Sequence, residues 1–184
     1  MEYTLAQALV RQQALIPLSS LVQKITIIGA GATGSVASLT LAKMGFANQE
    51  IYDGDEVDVV NMNCQMYGYK HIGMPKVDAL KDMFSIFSKT EPITHHAMYD
   101  GDNMLDGIVI CALDSMEGRR MLFDACKRYN VRWLIDPRMA IQYAAMHVVD
   151  MTDEKMVENY SKTLVHASTH APCTMKSTML SYEG

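Results

Sequence analysis

Lys24-Ile25-Thr26-Ile27-Ile28-Gly29-Ala30-Gly31-Ala32-Thr33-Gly34 is the stretch from which the fold is read. Its first part, residues 24–28, is short, β-branched and stopped by glycine, which predicts a buried strand. Its second part is Gly-x-Gly-x-x-Gly. Gly29 permits a tight turn, Gly31 lets a phosphate approach the backbone, and Gly34 lets the following helix pack on the strand. A helix over residues 34–44 then offers free N–H groups and its dipole to an anion. In this strand–loop–helix setting the motif points to nucleotide binding. The bland alternative is a close-packed turn.

Working outward, residues 49–53 read as a second strand, and Asp53 ends it about 20 residues past the loop, where a carboxylate can accept hydrogen bonds from ribose hydroxyls. The alternative for Asp53 is a solvated turn residue. Residues 54–75 are polar, rich in Gly and Asn, and too long for a plain connection, so they form a candidate functional loop. A helix is expected over 76–87, a strand over 93–98, and an apolar strand over 107–113 that ends at Asp114. A helix over 116–129, a strand over 132–136, an antiparallel strand over 142–149 and a helix over 153–162 follow. From residue 163 no period is visible. Ahead of the glycine loop, apolar Leu5, Ala8, Leu9 and Leu15 suggest a helix ending before Pro17.

The alternation predicts an α/β fold: a Rossmann-like, doubly wound, mostly parallel sheet with helices on both faces and an antiparallel C-terminal extension. A helical arm over 1–20 would precede a single nucleotide-binding domain over 21–184. Ligands of such sheets bind beyond the carboxyl ends of the strands.

The 184 residues are 49% apolar and 20% charged, which excludes long disorder, collagen-like fibres and disulfide-built miniproteins. A net charge of −5 argues against nucleic acid as the main partner. Cys64, Cys111, Cys126 and Cys173 form no CxxC pair, which fits reduced thiols in a cytoplasmic protein. The N-terminus does not read as a signal peptide, and no apolar run is long enough for a membrane span. The 16 methionines read as core filler.

Beyond the loop, residues 53–65 read Asp-Gly-Asp-Glu-Val-Asp-Val-Val-Asn-Met-Asn-Cys-Gln. Gly73-Met74-Pro75-Lys76 comes next, and Asp114 with Arg119 follows the apolar strand. In order and spacing these motifs resemble those of the ThiF/MoeB/ubiquitin-activating-enzyme superfamily of adenylyltransferases. The resemblance runs from about Arg11 to Arg119 and more loosely beyond. It implies ATP and Mg²⁺ as cofactors. Asp53 would hold the ribose, Asp55 and Asn61 would lie in the nucleotide site, Lys76 would touch the phosphates, and Asp114 would hold Mg²⁺. Such a set makes physical sense, because attack of a carboxylate on the α-phosphate calls for cations rather than a general base. The bland alternatives are an exposed helix lysine at 76, a helix cap at 114, a loop-ordering role for Asp55, and turn residues at Asn61 and Asn63.

The resemblance further implies a homodimer in which Arg11 reaches the phosphates of the neighbouring subunit; the alternative is an exposed arginine on an amphipathic helix. The implied partner is a small ubiquitin-like or sulfur-carrier protein whose C-terminal carboxylate is activated. His170-Ala171-Pro172-Cys173-Thr174 resembles the segment around the thioester cysteine of ubiquitin-activating enzymes, so Cys173 is a candidate acyl acceptor, with His170 or Lys176 able to lower its pKa. An ordinary loop thiol, or a metal site with His166 and His170, are the alternatives. Cys111, Cys126, His95 and His96 read as structural.

The pattern departs from the family at Cys64, which stands where the family has arginine. A thiol cannot replace a guanidinium fork on phosphate. Lys70 and Arg138 are the cations that could substitute; otherwise the chain is a catalytically weakened nucleotide-binding module. Paired CxxC motifs are absent, so structural zinc of that kind is not expected. Relatives continue with more sheet, so the domain is expected to be truncated or minimal at its C-terminal end. The remaining rival is an NAD(P)-binding oxidoreductase, which would share the glycine loop and Asp53 but has no need of an Asp114/Lys76 pair.

Overall fold

In the computed structural model, which describes residues 4–140 and 143–164, six strands form one sheet in the order β3-β2-β1-β4-β5-β6. Strands β1 (Ile25–Ile28), β2 (Gln49–Tyr52), β3 (Ile93–His95), β4 (Asp106–Cys111) and β5 (Asn130–Ala140) are mutually parallel. β6 (Tyr143–Asp150) runs antiparallel to β5. The chain winds outward from β1 to β3, then returns to the other side of β1 as β4. That reversal opens a crevice beyond the carboxyl ends of β1 and β4.

Both faces of the sheet are covered, as expected. On one, α2 (Ala32–Lys43) and α3 (Lys76–Phe84) bury Leu39, Ala42, Leu80 and Phe84 against Ile25, Ile27 and Ile51. On the other, α4 (Met116–Arg128) and α5 (Glu154–Thr163) bury Leu122, Phe123 and Tyr160 against Ile28, Val109 and Leu134. Successive side chains of a strand point to opposite faces, so Ile27 and Ile28 of β1 enter different cores. No helix among the described residues is long and apolar enough to cross a membrane.

Several boundaries differ from the sequence reading, each for a local reason. The N-terminal helix α1 is only Leu5–Ala8, followed by turns and a short 3-10 segment at Leu18–Val22. Leu9 is buried, but Val10 and Leu15 are exposed. With Val10 and Leu15 left in solvent, the residues after Ala8 bury no continuous apolar stripe that would support a longer helical run. Gln12 ties this arm to the end of α2 by donating to the Met44 carbonyl at 2.6 Å. Strand β3 stops at His95 because its one partner, β2, ends at Tyr52. Strand β5 outruns the expected 132–136, because β6 continues to pair with it from Asp136 to Ala140, after its parallel ladder with β4 has ended at Ile135.

The long connection 54–75 closes on itself. Val57 N–H donates to the Met74 carbonyl at 2.8 Å, and Gly73 N–H to the Val57 carbonyl at 2.9 Å. Two short 3-10 turns, Val59–Asn61 and Tyr69–His71, fill the excursion. The segment therefore leaves the end of β2 and returns beside it at Lys76, the first residue of α3.

Candidate functional site

A cleft of about 470 Å³ lies at the carboxyl ends of the strands. Its floor is Gly29, Gly31 and Thr33; its walls include Asp53, Asp55, Asn61, Gln65 and Lys76 on one side and Ala112, Leu113, Asp114 and Arg119 on the other. Tyr52, Met98 and Tyr99 supply an aromatic and thioether surface. Six residues singled out in the sequence as ligand-facing, Gly29, Gly31, Asp53, Asn61, Lys76 and Asp114, thus meet in one place, with Asp55 beside them.

The three glycines have separable roles. Gly29 has φ +98°, and a Cβ there would sit 2.5 Å from the Ala112 carbonyl oxygen. Gly34 is closed in harder still, its Cβ falling 1.8 Å from the Gly29 oxygen. At Gly31 a Cβ would meet no atom of the described residues within 4 Å, so their packing does not demand glycine there. A bare backbone opening onto the cleft is the form a phosphate cradle takes. Gly34 itself packs helix on loop and does not line the cleft.

Asp53 fixes this loop. It is 7% exposed, so it is not a solvated turn residue. One carboxylate oxygen accepts the Ala30 N–H at 2.6 Å, and the other accepts the Asp55 N–H at 2.8 Å. A carboxylate has about four lone-pair sites, so acceptor capacity remains for ribose hydroxyls. From the other side Tyr67 donates its hydroxyl to the Ala30 carbonyl at 2.5 Å. Burial, with the Asp53 charge nearby, pushes the Tyr67 hydroxyl far above the usual tyrosine range, so it stays a donor.

Lys76 is 7% exposed, which overturns the exposed-lysine alternative. Its ammonium lies 2.7 Å from Asp55 Oδ2, and its backbone N–H donates to the Asp55 carbonyl at 2.9 Å. Asp55 is therefore the lysine's holder, and the remaining ammonium donors are left for an anion in the cleft. Asn61 is buried, with Oδ1 accepting the Asp58 N–H at 2.9 Å inside a reciprocal cap.

Asp114 is exposed and makes no hydrogen bond or ion pair among the described residues. The cap of α4 is Ser115, whose hydroxyl oxygen accepts the Gly118 N–H at 3.1 Å. This corrects the reading of Asp114 as a helix cap and leaves its carboxylate uncommitted. A hard divalent cation fits such a group, taking its other oxygens from phosphates and water. No cluster of three or more metal-ligating side chains occurs among the described residues.

Other sequence candidates lie elsewhere. Arg11 is exposed and does not line the cleft. Cys64 is half-buried, with Sγ 3.8 Å from the Asn61 carbonyl, and is also outside the lining. Neither expected substitute cation reaches the cleft: Lys70 pairs with Asp82 at 2.7 Å, and Arg138 pairs with Asp136 at 2.6 Å. Cys173, with His166, His170 and Lys176, lies outside the described residues. Cys111 and Cys126 are packing residues, their thiols pushed up to about 12 by burial. His95 stacks on Tyr52 at 4.1 Å and bonds Glu50 at 2.8 Å, a structural role.

Sequence reasoning missed Gln65, whose Oε1 is buried at the cleft without a partner among the described residues. The available signal was its position beside Cys64 in the quoted motif. It also missed Asp136, fully buried within β5 just past the end of its ladder with β4, and bonded to Arg119, Arg138 and Tyr160. A charged residue ending an apolar strand demands partners, and Arg119 was already in view.

Comparison with known proteins gives a consistent result. A family model described as the ThiF family matches residues 8–179. The chain is 35% identical over 109 residues to the adenylyltransferase and sulfurtransferase MOCS3 of Culex quinquefasciatus, covering 55% of this chain and 25% of that protein. It is 26% identical over 129 residues to ubiquitin-like modifier-activating enzyme 5 of Oryza sativa subsp. japonica, covering 60% of this chain and 31% of that one. Its fold matches E. coli tRNA N6-threonylcarbamoyladenosine dehydratase, TcdA, in complex with AMP. That match has a TM-score of 0.65 at 21% identity, over 75% of this chain and 62% of that one. The chain thus spans between a quarter and a third of these two curated relatives.

Proposed function

The chain belongs to the ThiF family, and from that premise we propose that it is an ATP-dependent adenylyltransferase that activates a carboxylate. The observation that carries the reading is the meeting of a phosphate-ready glycine loop, the buried Lys76 ammonium and the unpaired Asp114 carboxylate in one cleft. A dinucleotide oxidoreductase needs the loop and Asp53 but not the other two.

In the proposed reaction a substrate carboxylate oxygen forms a bond to the α-phosphorus of ATP while the bond to the β-phosphate oxygen breaks. Pyrophosphate leaves and an acyl adenylate remains. The loop amides and Lys76 oppose the negative charge that spreads over the phosphates. Asp53 orients the ribose while pinning the loop. Mg²⁺, when bound at Asp114, would neutralise phosphate charge and hold the leaving group. The preferred substrate is the C-terminal carboxylate of a small ubiquitin-like or sulfur-carrier protein, supported by the names of the relatives. Cys173 is the candidate acceptor for thioester transfer, and Arg11 is the candidate trans-acting cation of a homodimer.

Calorimetry with ATP and Mg²⁺, followed by ATP–pyrophosphate exchange with a ubiquitin-like protein ending in Gly-Gly, tests the proposal. Binding of ATP and exchange that disappears in Asp114→Ala are expected. Tight NADH binding with no heat from ATP would overturn it. A second reading, nucleotide binding with little turnover, is favoured by Cys64 and by the engagement of Lys70 and Arg138 in ion pairs with Asp82 and Asp136, both cations being outside the cleft lining. ATP binding without exchange would select it.

A further inference from the structure

The parallel ladder between β4 and β5 ends at the pair Ile110 and Ile135. Beyond it, Pro137 has no N–H to donate, so the ladder cannot extend toward the cleft. The two strand ends are nevertheless joined. The Arg119 guanidinium, reaching back from α4, donates to the Leu113 carbonyl and to the carboxylate of Asp136. A side-chain fork thus takes over where the backbone pairing stops.

Asp136 is 0% exposed, and its other oxygen is held as firmly. Arg138 Nε donates to it at 2.6 Å and the Tyr160 hydroxyl at 2.9 Å. Arg138 also reaches the Thr163 hydroxyl at 3.0 Å, at the end of α5. A buried carboxylate so fully satisfied has little freedom to move. The carbonyl it fixes through Arg119 belongs to the peptide that precedes Asp114.

We propose that Asp136 is a positioning residue: through Arg119 it holds the 113–114 peptide, so that the otherwise unrestrained Asp114 carboxylate is presented to the cation accompanying a nucleotide on the glycine loop. This rests on the function proposed above. Among the described residues Asp114 has no side-chain partner of its own, so its aim is set by its backbone, and the Arg119 fork is a side-chain contact on that backbone. Asp136 touches neither substrate nor cation in this arrangement.

The test uses Asp136→Asn, which is nearly isosteric, lies outside the cleft lining and removes the charge that anchors the Arg119 fork. ATP binding is measured by calorimetry with and without Mg²⁺, and amide hydrogen exchange is followed over residues 112–116. In the unaltered protein Mg²⁺ should strengthen ATP binding. In the variant that gain should fall at least about 10-fold while Mg²⁺-free ATP affinity stays within roughly 3-fold, and exchange at 112–116 should quicken with β1 and α2 unchanged. A general loss of structure would instead weaken both affinities together. Should Asp136→Asn fail to fold, Tyr160→Phe, which removes one of the bonds that fix Asp136, is put through the same measurements. Retention of the full Mg²⁺ gain in a folded variant overturns the inference. Unaltered protein that binds ATP without any Mg²⁺ effect also overturns it while leaving nucleotide binding intact; no ATP binding at all overturns the proposed function with it.

Discussion

Asp114 and Asp136 stand just beyond β4 and within the cleft-side end of its neighbour β5. One is exposed and bonded to nothing among the described residues; the other is wholly buried and bonded to two arginines and a tyrosine. The same side chain, at nearly the same level of the same sheet, has become a vacant ligand in one case and a structural anchor in the other. What separates them is whether the protein supplies donors. Position at a strand end nominates a residue for ligand binding, but its partners decide.

The largest effects should come from removing each acid in turn. Asp136→Ala strands the buried Arg119 guanidinium and the half-buried Arg138 one, and is expected to cost about 3–5 kcal/mol in urea denaturation. Asp114→Ala should change stability by no more than about 0.5 kcal/mol, as an unpartnered surface group, yet lower ATP–pyrophosphate exchange by on the order of 100-fold or more. The contrast breaks if Asp114→Ala proves the less stable protein.

Lys76→Met sharpens it from the cationic side. Its loss leaves Asp55 half-exposed and able to rehydrate, so the stability cost should be small. Exchange should fall by roughly 10- to 100-fold, through loss of a cation aimed at the phosphates. A variant with full exchange activity would remove Lys76 from the site.

Much of this was legible in the sequence, and the reason is locality. The strand, glycine loop and helix of 24–44 are specified by neighbouring residues, as is the Asp53 that follows the next strand. The free state of Asp114 was half legible, because Ser115 lies beside it and serine is as good a cap as aspartate. The Asp136 anchor was not read, because its partners come from α4, from two residues on in β5, and from α5, elements that only the fold brings together. The N-terminal helix was over-read for the converse reason: its apolar spacing suggested a packed face running on to Leu15, which the tertiary structure leaves exposed.

Gln65 extends the comparison to an intermediate case, a buried polar atom at the cleft with no partner among the described residues. An amide can turn over to present N–H in place of oxygen, and it stands next to the cysteine that displaces the family's arginine. Gln65→Ala should weaken ATP binding by roughly 5-fold, the worth of about 1 kcal/mol for one hydrogen bond. Unchanged affinity by calorimetry would assign Gln65 to packing alone.

Glu50 provides the smallest expected effect and the control. It is a carboxylate as well partnered as Asp136 but set away from the cleft, accepting from Lys24 and His95 at 2.8 Å each and from the Tyr52 hydroxyl at 2.9 Å. Burial by itself would raise its pKa, but the bonds from Lys24, Tyr52 and His95 outweigh that and hold it below its ordinary 4.5. Since the folded value is the lower one, its stabilisation is present above about 4.5 and is lost as the pH falls through the folded value. Lys24 is shifted the other way: its bond to Glu50 raises it above 10.5, so that share is present below 10.5 and fades as the pH climbs past the folded value. Glu50→Gln should therefore destabilise by about 1 kcal/mol or less across the neutral range, screened as partly exposed pairs are. The gap to the unaltered protein should close under acid and again under strong alkali, with ATP affinity untouched throughout. A gap that stays constant into acid would mean that the carboxylate's charge is not what these partners hold. A change in ATP affinity would mean that the partnered and unpartnered acids of this sheet are not the separate devices their surroundings make them.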